Sequence, residues 1–226
     1  MLTNLIQQNK ALDSGAPQEI ISWANCTYSP KIVVSSSFQT QSMPLLHMIS
    51  NYAPEIKVLF IDTGFHFPET LTFRDQVVNQ FKLNLEIIRP EKNSQDFLQE
   101  NGELYLHQPN ACCQINKTIP FQKALAGQLA WINGIRRDQT INRSKVPIIS
   151  QHPFLPLFKI SPLAAWTSKD VEAYIVEHNL PIHPLHQRGY QSIGCAPCTT
   201  PVESDEDERA GRWRGIDKVE CGIHFP

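Results

Sequence analysis

Short apolar runs alternate with helix-like segments through the first 90 residues of the chain. The runs have the sequences KIVVS (31–35), KVLFID (57–62) and LEIIR (85–89). The segments between them, at about 40–51 and 68–81, have helix-like patterns, and Pro68 suits the first turn of a helix. Strands that alternate with helices at this spacing predict βαβ units, and therefore a parallel sheet with right-handed crossovers.

The later sequence adds elements of the same kind. LAWING (129–134) and VPIIS (146–150) are candidate strands, and TSKDVEAYIVEHN (167–179) has the pattern of a helix. Thr167 is placed to cap that helix, and Asp170 completes a capping box. We therefore predict a single α/β domain with a parallel sheet, divided into a helical N-terminal extension (1–30), the α/β domain itself (31–200) and a mobile C-terminal tail (201–226).

Composition and charge exclude several classes of protein. A net charge of −2 excludes a generally basic nucleic-acid-binding protein, and 41% hydrophobic residues are enough for a real core. The first residues lack the pattern of a signal peptide, and no run approaches the ~20 apolar residues of a membrane span. We expect a soluble, cytoplasmic protein that binds neither nucleic acid nor membrane. Because cytoplasmic cysteines are normally reduced, the six cysteines favour metal binding or catalysis over disulfides.

Polar loops lie at the ends of three of the predicted strands. They are SSSFQTQ (35–41), DTGFHFPET (62–70) and GIRRDQTINR (134–143). The first loop enters a helix whose free N–H groups favour an anion, although serines also serve in simple turns and caps. Because ligands bind beyond the carboxyl ends of parallel strands, the loops together predict a site for a phosphate-bearing ligand. The candidate binding residues are Ser35, Ser36, Ser37, Asp62, Thr63, Arg136, Arg137 and Arg143.

Four of the cysteines occur as two pairs. Cys112 and Cys113 are adjacent, and Cys195 and Cys198 form a C-x-x-C motif. Zinc sites generally use two spaced pairs, whereas adjacent cysteines on a helix point about 100° apart and suit a larger iron–sulfur cluster. Buried free cysteines for the first pair and a zinc knuckle for the second are the alternatives. The two pairs together favour a metal centre, and their spacing leans toward iron–sulfur.

The other two cysteines differ in their sequence surroundings. Cys26 ends a helix-like segment, where we expect it to contribute to packing. Cys221 has ionisable side chains around it in the sequence, namely Lys218, His224, Arg209, Arg212 and Arg214. Cations lower the pKa of a thiol and raise its thiolate fraction. A cysteine of this kind would by itself be incidental, but beside the other elements it is a candidate nucleophile on a mobile tail.

In their order and spacing, these segments resemble the assimilatory sulfonucleotide reductases, specifically the iron–sulfur adenylyl-sulfate (APS) reductases. The resemblance runs from about Lys31 to His224 and is carried by SSSFQTQSMPLLH, DTGFHFPET, CCQINK, AWINGIRRDQ, KISPLAAWT, LHQRGYQSIGCAPCT, RAGRWRG and KVECGIH. It implies a PP-loop, adenine-nucleotide-hydrolase-like fold of Rossmann type, with 31–200 as its nucleotide-binding domain. It also implies reduction of an activated sulfate to sulfite and AMP in sulfate assimilation and cysteine biosynthesis, with thioredoxin or glutaredoxin as electron donor.

The resemblance further implies roles for individual residues. Cys221 would be the nucleophile, in a variant of the family's ECGLH ending that includes His224. Lys117 would lie between the metal centre and the substrate. The serines at 35–37 match the family's modified phosphate loop. The phosphosulfate would be held by Arg143, Arg209 and Arg212. A 4Fe–4S cluster would be held by Cys112, Cys113, Cys195 and Cys198.

Two alternatives to an APS reductase stay open. The enzyme could prefer the 3′-phosphorylated substrate, PAPS, but relatives limited to PAPS usually lack the four cluster cysteines, so their presence here favours APS. The chain could instead be a non-catalytic, nucleotide-binding iron–sulfur sensor, but a sensor has no use for Cys221 in its ECG context. A homo-oligomer is compatible with the sequence.

Overall fold

Six strands form one sheet within the described residues, 2–218 and 220–223, of this computed structural model. The strands are β1 (Ile32–Ser35), β2 (Lys57–Ile61), β3 (Asn84–Ile88), β4 (Ala130–Ile132), β5 (Ile149–Gln151) and β6 (Phe158–Ile160). Their order is β3-β2-β1-β4-β6-β5, and all neighbours are parallel except the antiparallel pair of β5 and β6. The predicted α/β class with a parallel sheet is confirmed, with one antiparallel strand at its edge.

Helices connect the strands and flank the sheet. They are α1 (Leu2–Leu12), α2 (Pro17–Tyr28), α3 (Met43–Tyr52), α4 (Pro68–Phe81), α5 (Ser94–Asn101), α6 (Leu104–His107), α7 (Pro109–Cys113), α8 (Ile119–Leu125) and α9 (Ser168–Glu177). The capping box predicted for α9 is present, because Asp170 N–H donates to Thr167 Oγ1 and Thr167 N–H donates to the Asp170 carboxylate. In the described part of the chain, no helix has both the length and the apolarity needed to cross a membrane.

Side chains of the central strands alternate between two apolar clusters. Ile32 and Val34 of β1 pack in the first cluster with residues of α2, α3, α4 and α9. Val33 packs in the second cluster with Trp131 of β4 and Phe121 of α8. A strand turns successive side chains to opposite faces, and a sheet covered on both faces needs apolar residues on each. The uninterrupted apolar run of β1 therefore follows from its central position.

The order of the strands creates a gap between β1 and β4 at the carboxyl edge of the sheet. From β1 the chain passes through α3 to β2 on one side, whereas β4 joins β1 on its other side. The loops that follow β1 and β4 therefore diverge. Such a topological switch point is where open α/β sheets bind their ligands.

His183 is fully buried, and both of its ring nitrogens have partners. Leu185 N–H donates to Nδ1 (3.2 Å), so the ring proton lies on Nε2 and is donated to Thr70 Oγ1 (3.0 Å). Burial lowers the pKa of His183 to about 4 from an ordinary 6.5. The unfolded chain therefore gains a proton before the folded chain does, and the unfolding free energy falls as the pH decreases from about 6.5 to about 4.

We expect this histidine alone to remove about 2 kcal/mol of stability between pH 7 and pH 4.5. Denaturant unfolding of the wild type and of His183→Gln at both pH values measures the effect. The variant should be less stable at pH 7 but should lose about 2 kcal/mol less than the wild type on acidification. His107→Gln, at an exposed histidine, is the matched control. Equal acid losses in the wild type and His183→Gln would contradict the assignment.

Candidate active site

A cavity lies at the switch point, beyond the carboxyl ends of β1 and β4. Its walls come from distant parts of the chain: the serine turn at 35–37, the loop after β4, residues 193–194, residues 209–212 and the tail. Eight of the residues expected to bind or react line this one cavity, namely Ser35, Ser36, Ser37, Lys117, Arg143, Arg209, Arg212 and Cys221. The fold thus brings together residues that are up to 186 positions apart, from Ser35 to Cys221.

The serine turn is held in shape by the core beneath it. Ser35 Oγ accepts a hydrogen bond from Trp131 Nε1 (2.8 Å), and Ser36 Oγ accepts one from Phe38 N–H (3.0 Å). Phe38 has a φ of +54°, a left-handed conformation that is unfavourable for a bulky residue. Its fully buried ring packs edge-on against Phe60, with centroids 5.7 Å apart. Packing therefore stabilises a backbone conformation that exposes the serines to the cavity.

Three arginines concentrate positive charge in the cavity. Burial, and then the neighbouring guanidinium groups of Arg212 and Arg143, lower the pKa of Arg209 to about 10. Arg209 remains charged at neutral pH despite this repulsion. Arg212 Nε is buried and has no hydrogen-bond partner among the described residues. A buried, unpaired donor in a cationic cavity is suited to an anionic ligand.

Gly194 makes room for one of these arginines. A Cβ at position 194 would lie 2.4 Å from Arg212 Nη2 and 2.5 Å from Arg212 Cζ. The guanidinium therefore lies directly against the backbone of Gly194; it also donates from Nη1 to Ile193 O (3.5 Å) and lies over the ring of Trp213, 4.4 Å from Cζ to the centroid. Any side chain at position 194 would displace Arg212 from the cavity wall.

Cys221 is a half-buried thiol in the wall of the same cavity. Burial by itself would raise its pKa, but Lys117, the backbone N–H of Ile223, Arg212 and Lys218 outweigh it, so the pKa of Cys221 lies below its ordinary value. A thiol with a lowered pKa has a larger fraction in the nucleophilic thiolate form. His224, the other residue expected to act from the tail, lies outside the described residues.

The remaining four cysteines of interest line a second, adjacent cavity. Cys112 and Cys113 end α7, and Cys195 and Cys198 flank a short 3₁₀ turn. Thr63 Oγ1 lies 3.2 Å from Cys195 Sγ. Burial, and then the other cysteines, raise the pKa of Cys112 to about 11 and that of Cys198 to about 12. Among the described residues, no three Cys, His, Asp or Glu side chains are arranged to hold a single metal ion.

Lys117 lines both cavities. It lies on a π-helical turn, Gln114–Thr118, that continues directly from α7 and its two cysteines. Burial opposes the charge on Lys117, but the thiols of Cys221, Cys195 and Cys113 raise its pKa above the ordinary value. A π-turn inside a helix changes the direction of the side chains that follow, and such turns are frequent at functional sites. Lys117 therefore forms part of the wall of both the cysteine cavity and the cavity that holds Cys221.

Comparison with known protein families shows to which family the chain belongs. The phosphoadenosine phosphosulfate reductase domain matches residues 31–201, which include the serine turn, the four paired cysteines and the loops between them. The chain belongs to the phosphoadenosine phosphosulfate reductase family. The resemblance seen in the sequence is therefore confirmed.

Relatives in this family match the chain over nearly its whole length. The adenosine 5′-phosphosulfate reductase of Halalkalibacterium halodurans is 39% identical over 98% of this chain and 96% of its own. The adenosine 5′-phosphosulfate reductase 2 of Bacillus subtilis is 41% identical over 91% of this chain and 88% of its own. The phosphoadenosine 5′-phosphosulfate reductase of Gloeobacter violaceus is 42% identical over 92% of this chain and 88% of its own.

Solved structures show the same architecture. The phosphoadenylyl-sulfate (PAPS) reductase of Candida auris, in a phosphate complex, has a TM-score of 0.79 and 30% identity, covering 88% of this chain and 98% of its own. The FMN adenylyltransferase of Candida glabrata has a TM-score of 0.61 and 17% identity, covering 96% of this chain and 76% of its own, which indicates a shared fold only.

Four residues expected at the substrate site do not line the cavity. Arg136 is fully buried and donates to Asp138, Gln41 and Ser168. Arg137 faces away and donates to Val146 O and to Asp13. Their side chains stabilise the loop after β4 and do not line the cavity. Asp62 accepts from Gly64 N–H in a turn, and Thr63 lies against Cys195 on the other side.

Several cavity residues carry no distinguishing signal in the sequence, and two of them are polar side chains beside expected site residues. Gln139 and His66 both line the wall, within the GIRRDQ and DTGFHFPET segments. The segments were identified, but a glutamine or histidine carries no signal that separates it from its neighbours. The expectation that Cys26 contributes to packing is wrong, because its side chain is exposed on α2.

Proposed function

We propose that the chain is an oxidoreductase of sulfate assimilation that reduces adenosine 5′-phosphosulfate (APS) to sulfite and AMP in the cytoplasm. The electrons come from thioredoxin or glutaredoxin. One observation carries the proposal: Cys221, a thiol of lowered pKa, faces a cavity that is lined by the cationic side chains of Lys117, Arg209 and Arg212. The names of the Halalkalibacterium and Bacillus relatives support APS as the substrate.

The cavity suits an adenine nucleotide that ends in a phosphosulfate. The serine turn follows β1 at the switch point, where nucleotides bind in folds of this kind. Arg209 and Arg212 line the same cavity as that turn and Cys221, and they supply cationic donors for the phosphate and sulfate oxygens. A phosphosulfate bound to them would present its sulfur to the thiol.

In the first half-reaction, the thiolate of Cys221 attacks the sulfur of the phosphosulfate group. The bond between that sulfur and the bridging oxygen breaks, AMP leaves with the electron pair, and Cys221 carries an S-sulfonate. Negative charge moves onto the departing phosphate, where Lys117, Arg209 and Arg212 stabilise it. Loss of one such donor raises the barrier by on the order of 3 kcal/mol.

In the second half-reaction, the tail moves the S-sulfonate out of the cavity to meet the electron donor. A thiolate of the donor attacks Cys221 Sγ, the bond between the two sulfurs breaks, and sulfite leaves. The donor's second thiol then resolves the mixed disulfide and restores the thiolate of Cys221. The dithiol thus becomes a disulfide and supplies the two electrons that reduce sulfate to sulfite.

The four cysteines in the second cavity fit a 4Fe–4S cluster. A zinc ion needs four sulfurs about 2.3 Å from one point, whereas Cys112 and Cys113 are adjacent at the end of α7 and their side chains diverge. Four cysteines around one cavity suit a larger cluster, in which each thiolate binds a different iron. When bound, the cluster supplies a cross-link between α7 and the turn at 195–198, and an electrostatic environment for Lys117.

Sulfite release tests the function and its substrate together. With thioredoxin present, the purified protein is expected to release sulfite from APS, with kcat/KM at least about ten-fold above that for PAPS. We expect this preference because the chain has the four paired cysteines, which relatives limited to PAPS usually lack. Assays of both nucleotides under one set of conditions measure it.

Two other outcomes of this assay would change the proposal in different ways. A preference for PAPS, the substrate in the name of the Gloeobacter relative, would leave the reaction in place and reverse the choice of substrate. Binding of both nucleotides without sulfite release from either would contradict an enzyme and favour a nucleotide-binding sensor.

A further inference from the structure

The carboxylate of Glu220 is bound by two arms of one guanidinium group. Arg143 Nε donates to Glu220 Oε1 (2.9 Å), and Arg143 Nη2 donates to Oε2 (2.6 Å). The Thr140 hydroxyl also donates to Oε1 (3.1 Å), and Arg209 Nη2 lies 3.9 Å from Oε2. The Arg143 and Glu220 side chains are only 9% and 13% exposed, so solvent screens the pair little. Two parallel charge-assisted bonds make this a directional contact.

Arg143 has little capacity left for a substrate. Its Nη1 donates to Gln139 Oε1, so each of its three guanidinium nitrogens has a protein partner. Arg212 faces the same cavity with a buried Nε that has no hydrogen-bond partner among the described residues. Arg212 can therefore donate a hydrogen bond to an anionic ligand, whereas two of the three guanidinium nitrogens of Arg143 already donate to Glu220 in the tail.

The tail is held on both sides of Cys221. Before it, Lys218 Nζ donates to Pro109 O (3.2 Å) and lies 5.0 Å from the centroid of the Trp213 ring. After it, Ile223 packs against the second apolar cluster. Glu220 lies between these contacts and directly precedes the nucleophile. Because one peptide unit separates the two residues, fixing the Glu220 carboxylate restricts the positions that Cys221 Sγ can take.

We propose that Glu220 is a positioning residue, which through Arg143 holds the Cys221 thiol in the cavity. The importance of that position rests on the proposed function, in which Cys221 attacks the substrate. Glu220 itself touches no reacting atom. It sets the fraction of molecules whose thiol faces the cavity, and the role of Arg143 changes from holding phosphosulfate to holding the tail.

Alkylation of Cys221 without any sulfonucleotide tests the contact directly. Glu220→Gln keeps the size of the side chain and removes its charge. Iodoacetamide is expected to modify the Cys221 peptide about ten-fold faster in this variant, as measured by mass spectrometry, because the thiol leaves the cavity more often. The rate is taken at the plateau of its pH profile, where the thiol is fully ionised, so that a change in its pKa does not contribute.

Glu206→Gln provides the matched control. Glu206 forms a two-point ion pair with Arg214 in the same tail, at Nη1 and Nη2 (both 2.7 Å), away from the cavity. Its alkylation rate at Cys221 and its sulfite release should equal those of the wild type.

Steady-state kinetics with APS provide a second measurement. Glu220→Gln should lower kcat about ten-fold and change KM by less than about two-fold, because Glu220 holds the nucleophile and not the substrate. Glu220→Asp keeps the charge and should recover part of kcat.

Unchanged alkylation in Glu220→Gln would overturn the inference. A lower KM with an unchanged kcat would also overturn it, since Glu220 would then merely occupy the place of the substrate anion. Faster alkylation in a protein that releases no sulfite even as wild type would support the contact and count against the proposed function. If Glu220→Gln does not fold, Thr140→Val removes one donor to the carboxylate, and an unchanged alkylation rate in that variant overturns the inference.

Discussion

Cys221→Ser is expected to release no measurable sulfite while it keeps its fold, its metal content and its affinity for nucleotide. A neutral hydroxyl is a far poorer nucleophile than a thiolate. Although burial opposes it, Lys117 and Arg212 lower the pKa of the Cys221 thiol and raise its thiolate fraction. The loss should be about 10⁴-fold or more, which is typical for removal of a nucleophile. Cys221 belongs to neither apolar cluster, so stability should change little.

Mass spectrometry provides the direct measurement of this step. Wild-type protein mixed with APS but without thioredoxin should stop after one turnover, with a sulfonate on the peptide that contains Cys221. Cys26→Ser is the control, because Cys26 is an exposed thiol on α2, and this variant should form the same adduct. A sulfonate on Cys26, or continued turnover by Cys221→Ser, would show that the mechanism is wrong.

Cys195→Ser and Cys198→Ser are expected to lose iron and activity together. The turn that carries these cysteines is tied to the rest of the site by Ala196 N–H, which donates to Phe65 O (2.7 Å), and by Trp213 N–H, which donates to Cys198 O (3.1 Å). Gly194, next in the chain, holds Arg212 against its backbone. Loss of a ligand would therefore also displace Arg212, and sulfite release should fall about 100-fold or more.

Metal analysis of anaerobically purified protein checks this prediction. The wild type should be brown and contain roughly four irons per chain, and the serine variants should contain little. Cys221→Ser and Cys26→Ser should keep the iron, because neither residue lines the cavity of the four paired cysteines. Stoichiometric zinc in fully active protein would contradict an iron–sulfur cluster.

Elements with a strong pattern of their own were predictable from the sequence. β1 and β2 are apolar because both faces of the sheet are covered there, β3 packs Leu85 and Ile87 against the first cluster, and α9 carries its own capping box. β6 was not predicted because it is three residues long and follows a proline-containing segment. It is a strand because β4 and β5 pair with it on either side. The antiparallel direction of β5 relative to β6 also depends on this pairing, and pairing between strands leaves no pattern in the local sequence.

Some residues of the candidate site were likewise predictable from the sequence, and others were not. The four paired cysteines, Cys221, Lys117 and the serine turn occur in motifs that few other roles explain. All of these residues line the cavity in which they were expected. Arginine serves equally well as a buried loop anchor, so Arg136 and Arg143 could not be distinguished by type. Arg136 meets Asp138, Gln41 and Ser168, whereas Arg143 turns to the cavity and meets Glu220. The course of the loop after β4 determines which of the two arginines lines the cavity.

The contact of Ile223 with the second apolar cluster gives the tail a dependence on temperature. In the proposed reaction Cys221 leaves the cavity, and that step would separate Ile223 from the cluster and expose part of Phe121 and Leu125 to water. Full burial of an isoleucine side chain stabilises by about 1.5–3 kcal/mol, and half-buried Ile223 contributes part of that. Hydrophobic contacts weaken on cooling, whereas a buried ion pair such as that of Arg143 and Glu220 is screened little by salt. Cooling is therefore expected to loosen the end of the tail beyond Cys221, while added salt should leave the residue before it in place.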